Sequence, residues 1–251
     1  NSGLNFYDQN PRIAESLCTV PYLMGHPLKA LESQEKNFSS HEHFWGLPNG
    51  TELFKIYMNL AAGFQTKAEE MISKLTRKSE ILRYSLLSIL SFYKGDLKNA
   101  EKIAEIGLKS RRSELSNVEY RLICARLYIL NDSNLSRARF FLKDIMKYSR
   151  DYSHLSELSL AYLLAKDKKT MEAENMANYG YEKVKRIMKG DFMTRFWFFY
   201  ESFIYGQTMA LLGKNKQAYD GYNACIEAAP SAHLSRLATE RIRSLNQNLK
   251  D

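Results

Sequence analysis

Side chains able to do acid–base, nucleophilic or metal chemistry are few in this sequence and stand far apart. Five histidines occur, at His26, His41, His43, His154 and His233. Only "HEH", His41-Glu42-His43, forms a cluster, and a protein-bound zinc ion needs a third and usually a fourth ligand. None lies nearby in the sequence, so the segment reads as a polar connection between helices. The cysteines, Cys18, Cys124 and Cys225, are odd in number and each is set in an apolar helical pattern. That argues against a disulfide framework and for a reducing compartment. No glycine-rich phosphate loop, nucleophile elbow or paired acidic motif is present. The expectation is a non-catalytic chain with no cofactor and no metal.

Two further features invite a chemical reading. The formal charge is +8, and basic residues gather in "KSRR" (109–112), "KDKK" (166–169) and "KVKRIMK" (183–189). Such clusters can hold phosphates, but no basic stripe follows one helical face, so they read as a solvated rim near helix ends and nucleic acid is not an expected partner. The stretch "RFWFFYESFIYG" (195–206) carries seven aromatic rings and continues apolar to Gly213. Glu201 and Gln207 lie inside it and "KNKQ" follows, which argues for a buried helix and against a membrane span. The opening "NSGLNFYDQN" has no basic-then-apolar run and no initiator Met. The reading is a cytoplasmic chain that is a fragment or processed product, from which a targeting segment or further domain could have been removed.

The elements that must position these residues are helices. Of 251 residues 45% are hydrophobic and 25% charged, the balance of a globular protein. With 12 Gly and 5 Pro there is little punctuation for strands, while Leu, Ala, Lys and Glu recur at helical spacing. A pair of small residues also recurs. Gly25 precedes Ala30, Gly63 precedes Ala68, Gly95 precedes Ala100 and Gly213 precedes Ala218, each by five positions. Ala138 and Ala173 keep the alanine, with Ser133 and Lys168 at the turn. The six alanines are 38, 32, 38, 35 and 45 residues apart.

That pattern resembles the tetratricopeptide repeat, a helix-turn-helix unit of about 34 residues. The family's small residue in the first helix is matched by Cys18, Ser88, Ala161 and Gly206, its turn glycine by Gly25, Gly63, Gly95 and Gly213, and its proline after the second helix by Pro230. Ile56 and Arg126 depart from it, and extra residues around "KVKRIMKGDFMT" imply a longer helix or loop before the last repeat. A turn glycine can take the left-handed conformation, and an alanine lets two helices approach. The resemblance implies an all-α fold: a right-handed α-solenoid of stacked antiparallel helix pairs. About six hairpins would fill residues 1–251 as one domain, with residues 231–251 as a C-terminal capping helix.

Residues 195–206 then become the first helix of the last repeat, with rings filling the stack on one side and lining the concave surface on the other. By offset, the concave face carries Tyr57, Ile89, Phe92, Leu127, Tyr162, Tyr200 and Phe203. In family members that grip a terminal carboxylate this face presents Lys, Arg and Asn; here it is apolar and aromatic, which implies a groove for an amphipathic helix or an extended peptide. The expected function is a protein-interaction scaffold or adaptor with a protein, a peptide or a second copy of the chain as partner. The alternative is a sensory or regulatory domain of a larger regulator that binds a peptide or small effector.

Overall fold

The computed structural model describes residues 11–37, 50–75, 80–109, 115–149 and 152–247. Among them the fold is all-α, with no strand. The helices are α1 (Pro11–Leu23), α2 (Pro27–Asn37), α3 (Gly50–Ala61), α4 (Gln65–Lys74), α5 (Glu80–Lys94), α6 (Leu97–Lys109) and α7 (Leu115–Leu130). They continue with α8 (Leu135–Tyr148), α9 (His154–Lys166), α10 (Thr170–Ile187), α11 (Phe192–Leu211), α12 (Asn215–Ala228) and α13 (His233–Gln247). The His41-Glu42-His43 cluster and most of "KSRR" lie outside the described residues.

Six turns share one backbone design, and the sequence shows why. α1, α3, α5 and α11 each end at a glycine with positive φ: Gly25 at 92°, Gly63 at 86°, Gly95 at 88° and Gly213 at 72°. Around each, the N–H of the following residue donates to a carbonyl five residues back, as His26 does to Pro21 (2.8 Å) and Phe64 to Asn59 (2.7 Å). This double closure satisfies carbonyls that the helix end would otherwise leave open. At the other two turns the left-handed residue is Lys168 (φ 61°) and Asp132 (φ 49°). Ser133, expected at the turn, instead donates its N–H to the Tyr128 carbonyl (2.9 Å), so this connection is one residue longer than the others.

Beyond each turn the next helix starts in register. The alanines at 30, 68, 100, 138, 173 and 218 each donate their N–H to the carbonyl four residues earlier, and all six are fully buried. Their smallness sets how closely the helices of a pair approach. Ser88 Oγ donates to the Ala100 carbonyl at 2.8 Å, and a Cβ on Gly206 would stand 3.1 Å from the Ala218 carbonyl. Gly221 deepens that contact, since its Cβ would fall 2.8 Å from the Gly206 nitrogen. Helices joined by such short turns and packed along their length run antiparallel. Pairs α1/α2, α3/α4, α5/α6, α7/α8, α9/α10 and α11/α12 form in this way, each packs on the next, and α13 closes on α12. Pro230 follows α12 and ends it.

Several contacts join distant parts of the chain. α11 reaches α1, and α13 reaches α5. α10 runs 18 residues and α11 runs 20, so the additional residues expected around "KVKRIMKGDFMT" lengthen helices and the connection between them stays short. At the start of α11, Phe192 meets Tyr22 of α1 and Phe54 of α3 at ring-centroid distances of 5.0 and 6.0 Å. The segment before α13 and the first residue of that helix also reach earlier turns, where a Cβ on Gly63 would meet Ser231 and one on Gly95 would meet His233. No helix among the described residues is long and apolar enough to cross a membrane.

Candidate functional site

The residues expected to line an open groove are mostly interior. Tyr57, Ile89, Phe92, Leu127, Tyr200 and Phe203 are buried, and α11 is what covers much of this set. Tyr57 meets Phe196 edge-on at 4.7 Å and Phe192 at 5.8 Å. Phe92 meets Trp197, Phe199 and Tyr200 at centroid distances of 5.9, 5.8 and 6.3 Å. Tyr200 in turn shares a 3.0 Å hydrogen bond with Ser159 on α9. The expectation of an open groove along these positions is therefore corrected. The reason lies in α11: a helix apolar on all sides can lower its free energy only by burying all sides, and each favourable ring pair adds about 0.5–1.5 kcal/mol to the area buried. The rings of "RFWFFY" fill the space assigned to a partner.

The interior also holds an ion pair. Arg126 Nη2 donates to Glu201 Oε1 at 2.5 Å, with both side chains almost fully excluded from solvent. The guanidinium lies 4.2 Å from the Trp197 ring centroid and 4.8 Å from that of Tyr200, so two aromatic faces share its charge. Burial pushes the Glu201 carboxyl up to about 7, against the opposing pull of Arg126. Arg126 occupies a position where the repeat pattern asks for a small residue. Its bulk is accommodated because the side chain points at α11.

Tyr162 behaves differently from the other six. It is half-buried and lines a cavity of about 170 Å3 where α11 and α13 meet α6, α7 and α9, whose walls include Asp132, Phe203, Ile204, Leu237 and Arg241. Gln207 and Arg241 also line a shallower recess of about 400 Å3 that continues past Tyr222, Asn215 and Ser244. The two recesses share Gln207 and Arg241 and so adjoin as one cleft, lined by both apolar and polar groups. Burial raises the Tyr162 phenol and pushes that of Tyr222 up to about 12, so both hydroxyls are protonated donors at neutral pH. Asp132 is engaged by Lys166 at 2.6 Å. Arg241, which faces both phenols electrostatically, has no acidic partner among the described residues.

Gln207, Tyr222 and Arg241 were not among the site residues expected from the sequence. One signal was available for Arg241: its neighbours one helical turn away are Leu237, Ala238, Ser244 and Leu245, none able to neutralise it. Other chemically capable groups have structural partners. His154 Nε2 lies 2.7 Å from Thr194 Oγ1, and His233 packs against the Gly95 turn. Cys18, Cys124 and Cys225 are buried thiols. In the basic clusters Lys166, Lys183 and Lys185 meet Asp132, Glu157 and Glu182 at 2.6, 2.6 and 2.8 Å. Among the described residues no three His, Cys, Asp or Glu side chains gather as metal ligands. Comparisons with models of known families, with curated proteins and with solved structures return no match.

Proposed function

We propose that this chain is a non-catalytic binding scaffold of tetratricopeptide type, a right-handed α-solenoid that takes a short peptide segment in the cleft between α11 and α13. Six turns of one backbone design, each five or six residues before a buried alanine, support the repeat reading. The observation that carries the functional reading is the cleft itself. It is where the expected concave face stays accessible, at Tyr162, and it joins apolar lining to convergent polar groups, the usual make-up of a ligand site. Gln207, Asn215 and Ser244 offer the amide and hydroxyl groups that an extended backbone requires.

The packing of α11 against the N-terminal repeats favours a short occupant over a long amphipathic helix, and with it the reading of a regulatory domain that senses a peptide or small effector. Both versions use the same cleft. Incubation with a soluble mixture of short random peptides, followed by mass spectrometry of those retained, tests it. The parent chain should retain a defined subset, and a Tyr162→Ala variant with unchanged helical circular dichroism should lose it. Retention of nothing, or equal retention by the variant, would remove the cleft as the working site.

A further inference from the structure

Arg241 is exposed on α13 and makes no ion pair with another described residue. It projects from α13 over the junction of the two recesses, within electrostatic reach of the Tyr162 and Tyr222 hydroxyls. Neither phenol makes a hydrogen bond among the described residues, and the Gln207 amide beside them makes none either. The acid in the cavity wall, Asp132, is already neutralised by Lys166, so a ligand entering here meets a net positive charge with neutral donors around it. Phe203, Ile204 and Leu237 supply apolar lining to the same cavity of about 170 Å3. A planar guanidinium flanked by hydroxyl donors matches a carboxylate better than any neutral group, since it can donate two parallel hydrogen bonds.

We propose that the α11–α13 cleft binds a free carboxylate carried on an apolar body, the carboxylate meeting Arg241, Tyr162 and Tyr222 and the apolar group seating against Phe203, Ile204 and Leu237. The inference rests on the reading that this cleft takes the ligand, and narrows that ligand to a chemical class. The carboxylate can come from a peptide C-terminus or from a free aliphatic acid. The two share the same contacts at Arg241 and differ in whether Gln207, Asn215 and Ser244 find a backbone to pair with.

The test uses the whole chain, 15N-labelled, titrated with acetyl-Leu-Leu-Phe as the free acid, with the same tripeptide as its C-terminal amide, and with octanoate. The expected result is binding of the acid, mapped by shifts at Gln207, Tyr222 and Arg241, with the amide weaker by about tenfold or more, the scale of a lost charge-assisted hydrogen bond. Arg241→Gln should abolish the preference for acid over amide, and Arg241→Lys should keep part of it. Both variants change an exposed side chain, so thermal unfolding monitored alongside should be unmoved. Octanoate binding at the same residues would assign the site to free acids as well; binding of the tripeptide acid alone would assign it to protein C-termini. Equal binding of acid and amide, or a preference that survives Arg241→Gln, overturns the carboxylate inference while leaving the cleft as a peptide site. If none of the three compounds shifts these residues, the carboxylate inference falls, and the peptide site must be sought elsewhere on the chain.

Discussion

At the scale of single residues, the most consequential group in the interior is Glu201. Its carboxyl is held at about 7 by burial, where the usual value is 4.5. Between those values the folded chain holds a proton that the unfolded chain has released. This contribution to stability is therefore complete below pH 4.5 and is lost as pH rises through about 7, with a slope near 1.4 kcal/mol per pH unit inside the window. Glu119, raised by burial despite hydrogen bonds from Ser85 and Tyr57, acts in the same direction. Urea unfolding at several pH values checks this: Glu201→Gln should flatten the decline between pH 5 and pH 8, and an unchanged slope would assign the dependence to other groups. The Arg126 guanidinium keeps Glu201 from being more costly still. A buried pair of this kind contributes little net stability but penalises any arrangement that separates its members, which ties α7 to α11 specifically.

Element-scale physics is clearest at the turns. Four of the six left-handed positions are glycine, and two are not. A lysine in that conformation carries a steric cost of about 1 kcal/mol that glycine lacks, so Lys168→Gly should stabilise the chain by up to that amount, offset in part by glycine's greater freedom when unfolded. The converse change is harsher. In Gly95→Ala the new Cβ would have positive φ and would lie 2.5 Å from His233 Nδ1, so a loss of roughly 1–3 kcal/mol is expected. Chemical denaturation of the two variants beside the parent measures both, and the opposite sign in either would show that the turn does not govern that helix end. Asp132 is a less useful probe, because its side chain also holds Lys166 at the edge of the cleft.

For the whole molecule, the decisive feature is that the last helices touch the early ones. α13 buries Leu234, Ser235 and Ala238, and Ser235 Oγ donates to the Ala229 carbonyl at 2.6 Å. Helix α13 also reaches α5, so it is a clasp as well as a cap. Ending the chain at Pro230 should therefore do more than fray one end. It would uncover α12, release the Gly63 and Gly95 turns from Ser231 and His233, and remove one wall of the cleft. Hydrogen exchange on the shortened chain should show lost protection in α5 as well as in α12. Loss confined to α12 would mean that the contact with α5 contributes nothing to stability.

Much of the local structure was legible in the amino-acid order alone. That "GDLKNA" ends one helix and starts the next follows from glycine's freedom at positive φ, from hydrogen bonds spanning four or five residues, and from an alanine small enough for close packing. These are short-range causes, and all six turns obey them, including the one lengthened at Asp132. The same reasoning made "RFWFFY" a buried helix, because rings on every side leave no face for water. What no local pattern carried was the identity of the neighbours. Hydrophobic periodicity records that Tyr57 and Phe92 prefer burial, not that α11, more than a hundred residues later, supplies it. Nor does it record that Arg126 and Glu201 meet across 75 residues. Those outcomes depend on the long-range packing that closes α11 against α1 and α13 against α5. Only that closure left Tyr162, Gln207 and Arg241 around one cleft.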